Sequence, residues 1–396
     1  MPCLLKRGTD ESPAVVTFTH NELFYGVIGK SDDARKFLST AAESGRWIFG
    51  IHVQGDCSHL ERWPLEPWQS FLMWPDVNAS FLNGVPKQRI VGLNCVNFLP
   101  AANEIVSRED RRWDICIISR PSRIKRIVES LHLIKQALVT NPTLRVIFVV
   151  PDYRKFGDGE RTYETENLDR RFYQLPMSLF SATELRQISF ISSSVESFGR
   201  FPIAQDVLQN LLARSKFMLL TSHSEGTPRV IAEALMLGTP CMVSPALRSG
   251  MGGYLTASNC VCIDDDAEKG AAQLNDALSN YDRFTVDTAL AHRIFSDVSN
   301  RTTLMEAISD QLHLAGKKVE GEWLLDDLHL RLAGHGRKRS LQVMNDRRLF
   351  FRWFANVDKV DPYDEDSIFG PGAPDDKASV QWGKRVRSLA RIAFRR

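Results

Sequence analysis

Arg120 and Lys125, five residues apart in the stretch ISRPSRIKRIVESL, directly follow a predicted strand and open a predicted helix. Cations at a strand-to-helix turn meet the positive end of a helix dipole, and together they make a corner suited to phosphate. The same residues also read as an ordinary solvated helix start, since Arg123 and Arg126 make the whole segment basic. Farther along, FMLLTSHSEGTPRVIAEALMLGTPCMVS carries two carboxylates eight apart, Glu225 and Glu233. Gly226, Thr227 and Pro228 begin a helix with proline at its first position, and Gly238 stops it. At about 100° per residue Val230, Ala234 and Leu237 share one face, with Glu233 at its border. A carboxylate there is costly unless something hydrogen-bonds to it, and a ligand diol would do so. Glu225 precedes the same helix and points from a strand's carboxyl end toward the crevice where α/β sheets bind ligands.

The elements that must hold these residues alternate regularly. Strands at 114–119, 145–150, 188–192, 216–221, 240–244 and near Cys260 are separated by helices at 122–137, 181–187, 203–213, 228–237 and 268–279. That alternation predicts a doubly wound α/β domain with a parallel sheet. Upstream, a strand at 14–18, a loop through Gly26 and Gly29, a helix near 32–44 and a strand at 47–53 start another α/β unit. Weaker strands follow near Phe81 and at 90–96, then a polar run at 101–112 that reads as a linker. The stretch 152–175 reads as a polar insertion.

Length and composition bound the class. With 396 residues, 43% apolar and 25% charged, the chain has room for two or three packed domains, and its apolar runs are too short to span a bilayer. Disordered, collagen-like and transmembrane classes are excluded. The opening MPCLLKRGTDESP lacks the apolar stretch of a secretory signal, so a cytoplasmic location is expected. Seven cysteines, none in C-x-x-C spacing, predict reduced thiols without a disulfide or zinc framework. Gly29-Lys30-Ser31 is no P-loop, because Phe24 stands where glycine is required. Asp264, Asp265 and Asp266 read as a surface turn rather than a metal site.

Taken together, SEGTPRVIAEALMLGTPCMVS resembles the E-x7-E signature of retaining GT-B glycosyltransferases of family 4 (glycosyl transferases group 1 type), and SRPSRIK resembles their R-x4-K phosphate turn. KQRIVGLNCVNFLP resembles the segment ending their N-terminal domain, and FSDVSNRTTLMEAI the helix closing their C-terminal domain. The resemblance runs over 88–310 and is strongest over 216–245. It implies a GT-B fold, two Rossmann-like domains facing a cleft, here with an abbreviated N-terminal domain and a C-terminal extension. It further implies a nucleotide-diphosphate-sugar donor as co-substrate, no cofactor and no metal, and transfer to a glycan or lipid-linked acceptor with retention of configuration. Carried over, Arg120, Lys125 and Glu225 are the catalytic set. Gly226, Thr227, Pro228, Val230, Glu233, Gly252 and Gly253 are expected to bind the donor, Glu233 through the ribose hydroxyls. His52 and His20 are candidates on the acceptor side, although a histidine ending a strand also reads as structural. A donor-binding but silent partner subunit, or another reaction such as sugar-nucleotide epimerisation, stays open as an alternative.

On this reading residues 1–105 form a reduced acceptor-side domain and 106–312 the donor domain. A helical extension, 313–357, packs on the first domain or stands apart. An acidic linker, 358–380, and a basic amphipathic helix, 381–396, complete the chain. From Arg331 onward there are 15 Lys and Arg against 8 Asp and Glu, a net +7 that leaves −5 on the rest. LFFRWF (349–354) adds an aromatic run with an embedded arginine. Trp382, Val386, Leu389 and Ala393 line up at spacings of 4, 3 and 4. That composition suits an interfacial helix on anionic lipid, and equally a solvated basic helix packed on its own domain. No nucleic-acid partner is expected.

Overall fold

The computed structural model describes residues 2–55, 57, 59–102, 105–152, 168–193, 201, 203–314, 316–332, 345–357, 359–360 and 368–369. The acidic linker, apart from 359–360 and 368–369, and the basic helix expected at 381–396 lie outside the described residues, as does most of the polar insertion. The described residues divide into two compact units, 2–100 with those from 294 onward, and 101–293.

The first unit is built on a five-stranded sheet: β1 (Cys3–Lys6), β2 (Ala14–Thr19), β3 (Trp47–His52), β4 (Gln69–Met73) and β5 (Ile90–Val91), in that spatial order. β1 is antiparallel to β2, and the other pairs are parallel. β1 and β4 were not expected from the sequence. Conversely, the residues around Phe81 form a 3-10 turn, Ser80–Leu82, rather than a strand.

Because spatial order equals chain order, right-handed crossovers place every parallel connection on one face. That face packs Val16, Phe18 and Ile51 against Leu38, Trp63 and Trp68. The opposite face, with Val15, Ile48, Phe71 and Met73, needs a cover from elsewhere. The helix Asp297–Leu314 supplies it through Leu304, Ile308 and Leu312 at helical spacing, joined by Leu325 and Leu328. The segment 294–312, expected to close the second domain, therefore completes the first.

The tail also reaches the connection-bearing face. Asp346 caps the helix Arg347–Asn356, which buries Phe350, Trp353 and Phe354 among Phe18, Phe37 and Phe49. These aromatics of LFFRWF form part of the first unit's core.

The second unit holds six parallel strands: β6 (Trp113–Ile118), β7 (Val146–Val149), β8 (Ile188–Ile191), β9 (Ser215–Leu220), β10 (Cys241–Val243) and β11 (Cys260–Cys262). Their order is β11-β10-β9-β6-β7-β8, the doubly wound α/β order that the alternation predicts. The order reverses between β6 and β9, so the crevice of a doubly wound sheet opens beyond the carboxyl ends of those two strands. The stretch before β6, read as a linker, is pinned to this unit. Buried Arg111 donates to Ser215 O at 2.7 Å, Thr239 Oγ1 at 2.9 Å and Gly238 O at 2.9 Å. Gly238, at φ +72°, ends the helix Arg229–Met236 as expected. The cysteines described are all free thiols, most of them buried.

Candidate functional site

Arg120 and Lys125 leave β6, and Glu225 leaves β9, so the two strands at the reversal bring them to one edge. There Lys125 Nζ lies 2.5 and 2.6 Å from the two carboxylate oxygens of Glu225. The pair is one hundred residues apart in sequence and shielded, Glu225 being 11% exposed in its side chain. Arg120 is half-buried one turn earlier.

The turn differs from expectation in one respect. The helix begins at Ile127 rather than Ser122; Arg123–Lys125 form a 3-10 turn, and Arg126 adopts a left-handed conformation at φ +50°. Three cations, Arg123, Lys125 and Arg126, inside the first helical turn would face the positive dipole end. The chain places them ahead of the helix, where Lys125 meets Glu225 and Arg126 meets Asp265. Thr221 Oγ1, just past β9, donates toward Arg126 O at 3.0 Å and Lys125 O at 3.1 Å and pairs with Ser130 Oγ at 2.9 Å. It thereby ties the cation-bearing turn to the strand that leads to Glu225.

The glutamate-bearing loop is held from its other side. Arg248 N donates to His223 O at 2.9 Å, Glu225 N to Arg248 O at 3.0 Å and Gly250 N to Gly226 O at 2.7 Å. Thr227 is half-buried, and buried Pro228 caps the next helix in extended conformation. Gly252 and Gly253 lie farther along the partner loop in a short exposed turn, with open space where a Cβ would stand. Val230 is half-buried on the helix.

Glu233 is buried on the helix Arg229–Met236. Burial pushes its carboxyl up, opposed by the charge of Arg229 and by a hydrogen bond from Gln205. Gln205 Nε2 donates to Oε1 at 2.9 Å and Arg229 Nη2 to the same oxygen at 3.3 Å, so Oε2 takes neither. The sequence offered a ligand diol as the partner this carboxylate needs; the protein itself meets half of that need. Arg229 stands four residues ahead of Glu233, a spacing legible in the sequence, whereas nothing there singled out Gln205. Two buried polar atoms nearby, Ser222 Oγ and Arg229 Nε, have no partner among the described residues.

The aspartates at 264–266 are more than a surface turn. Asp265 Oδ2 meets His223 Nε2 at 2.7 Å, and its Oδ1 meets Arg126 Nη1 at 2.6 Å. Among the described residues no group of three His, Cys, Asp or Glu forms a metal-ligand set.

The two histidine candidates belong to the first unit. His52 ends β3 without exposed surface, its Nε2 2.6 Å from Leu332 O and its Nδ1 3.1 Å from Thr17 Oγ1. A carbonyl only accepts, so Nε2 carries the proton and Nδ1 accepts from Thr17. The structural reading of His52 accounts for both contacts. Desolvation pulls it down to about 3, and buried His20, which accepts from Gln54 N at 3.1 Å, down to about 4.

These depressed values carry a pH signature. A ring that folds neutral, at about 3 against 6.5 unfolded, contributes stability that is whole above pH 6.5 and lost as the pH falls. By pH 5 the loss from one such ring is about 2 kcal/mol. Urea midpoints should drop between about pH 7 and pH 5 in the wild type, and drop less in His52→Gln; parallel curves would count against the assignment.

No family model matches the chain, and no curated protein matches it. Solved structures are similar to parts of it. TarM of S. aureus is 11% identical at a TM-score of 0.46, over 67% of this chain and 50% of that one. The pneumococcal O-GlcNAc transferase GtfA, solved with UDP and GlcNAc, is 13% identical at 0.46, over 70% and 55%. Anabaena Alr3699/HepE, solved with UDP, is 16% identical at 0.47, over 70% and 77%. The match thus spans about half the length of TarM and of GtfA.

Proposed function

We propose that the chain is a retaining GT-B glycosyltransferase that moves a sugar from a nucleotide-diphosphate-sugar donor to a glycan or lipid-linked acceptor. The observation that carries this reading is the meeting of Lys125 with Glu225 at the strand-order reversal, with buried Glu233 on the next helix. A phosphate-seeking cation, a carboxylate beside it and a second carboxylate with an unused oxygen match an anionic leaving group, a sugar and a ribose diol.

The chemistry follows from charge. As the anomeric C–O bond breaks, the diphosphate gains negative charge and the sugar becomes oxocarbenium-like. Lys125 and Arg120 stabilise the former, which favours the transition state over the bound donor. Glu225 lies on the sugar side, and Glu233 Oε2 accepts from the ribose hydroxyls. With retention, the acceptor oxygen attacks from the face the phosphate leaves, forming the new C–O bond as the old one breaks. Its proton passes to the departing phosphate oxygen, so no protein base is required. Among the described residues no helix is long and apolar enough to cross a membrane.

The test is a panel of nucleotide sugars offered to the full chain, measuring binding and slow donor hydrolysis. Glu233→Ala should weaken binding of the preferred donor by about 10- to 100-fold, the worth of hydrogen bonds to a charged group. If no nucleotide sugar binds the wild type, the reading falls. Binding without hydrolysis or transfer would mark a donor-binding partner subunit instead.

A further inference from the structure

We propose that Asp265 is a positioning residue: its carboxylate holds the cation-bearing turn at 120–126 and the glutamate-bearing loop at 222–228 at the spacing the site needs. The inference rests on the site reading above for its purpose, and on geometry alone for its substance. Asp265 follows β11 and takes donors from three other strand ends. Arg126 Nη1, from the turn after β6, lies 2.6 Å from Oδ1; Ser244 Oγ, after β10, lies 3.0 Å from the same oxygen. His223 Nε2, after β9, lies 2.7 Å from Oδ2, and Arg126 Nη1 also touches that ring nitrogen. The neighbouring aspartates do other work: Asp264 Oδ1 accepts from Asp266 N at 2.9 Å, and Asp266 caps the helix Ala267–Ser279 through Lys269 N at 3.0 Å.

The backbone supplies a second, independent observation. Arg126 is one of two non-glycine residues at positive φ among the described residues. A side chain there costs about 1–2 kcal/mol relative to the right-handed form, a cost glycine avoids. A strained residue persists where its surroundings over-determine it. Here the Arg126 side chain is fixed by Asp265 and its carbonyl by Thr221, so the residue is clamped at both ends. The consequence is register. Lys125 and Arg126 are adjacent, and so nearly are Glu225 and His223; Lys125 meets Glu225 directly, while Arg126 and His223 meet through Asp265. Asp265 therefore acts on the catalytic pair through the residues flanking it.

The experiment uses the full chain and four forms: Asp265→Asn, Asp264→Asn, Arg126→Gly, and Arg126→Gly combined with Asp265→Asn. Amide hydrogen exchange of the ligand-free protein over 119–128 and 221–228 is followed with the affinity for a panel of nucleoside diphosphates. Asp265→Asn should speed exchange in both segments about tenfold and weaken nucleotide binding, whereas Asp264→Asn should leave both as in the wild type. Arg126→Gly should loosen the same segments even though glycine suits the backbone better, and the double variant should be no worse than the worse single one, as coupled residues behave. The proposal is overturned if Asp265→Asn leaves either segment unchanged, if Arg126→Gly exchanges no faster than the wild type, or if the two effects add. A wild type that binds no nucleoside diphosphate defeats the site reading instead, and the exchange data still decide the role of Asp265.

Discussion

Lys125→Ala is expected to slow sugar release from a bound nucleotide sugar by about 100-fold or more, in the range found when one preorganised charge is removed from a developing anion. The fold should survive at a measurable cost in stability, because the truncation leaves the shielded carboxylate of Glu225 without its cation. Glu225→Gln provides the complementary result. Lys125 Nζ donates to both carboxylate oxygens of Glu225, at 2.5 and 2.6 Å. A diphosphate entering the site must share that ammonium with a carboxylate that repels it. Removing the carboxylate's charge should therefore tighten binding of free pyrophosphate several-fold while donor hydrolysis falls, whereas Lys125→Ala should weaken pyrophosphate binding and hydrolysis together. Calorimetric titration with pyrophosphate and a coupled assay for released sugar check both arms. A Lys125→Ala rate within about threefold of the wild type would remove the electrostatic account.

Strand and helix periodicity made the second unit legible, because a buried parallel sheet writes itself as short apolar runs separated by amphipathic helices. The strand-order reversal brings two sequence motifs one hundred residues apart together; the sequence assigned Lys125 and Glu225 to one crevice but did not pair them. Other features carried no local signal. The left-handed Arg126 was hidden because arginine is an ordinary helix former, and its conformation goes with tertiary contacts to Asp265 and Thr221. Asp265 itself was indistinguishable from its two neighbours, since the difference lies in which strand ends its oxygens face. Gln205 reaches Glu233 across a helix pair, a relation set by tertiary packing. In the first unit, β4 sits between tryptophans and prolines that mask its pattern, and the partner of its outer face arrives more than two hundred residues later. A boundary drawn at the end of local periodicity therefore cuts the first unit short.

That late partner makes the tail a requirement for folding, and Trp353→Ala is the sharpest test. Trp353 has no exposed surface and stacks edge-on against Phe354 with ring centroids 4.9 Å apart, in a cluster with Phe350 and Val357 on the sheet. Truncating such a ring costs about 3–5 kcal/mol through lost transfer energy and the cavity left behind, a large share of a domain's net stability. The expected outcome is a first unit that unfolds at markedly lower urea, while the second unit, with its own core of Ile115, Phe148 and Phe217, keeps its transition. Trp353→Phe separates packing from polarity: the indole Nε1 is buried without a partner among the described residues, so phenylalanine discards an unsatisfied donor along with some volume and should cost much less than alanine. If these aromatics served a lipid surface instead, alanine would leave the urea midpoint untouched and change vesicle binding alone. The buried positions Phe350, Trp353 and Phe354, spaced by three and four on one helical face, already argue for the sheet, since a helix offers that stripe to a single partner at a time.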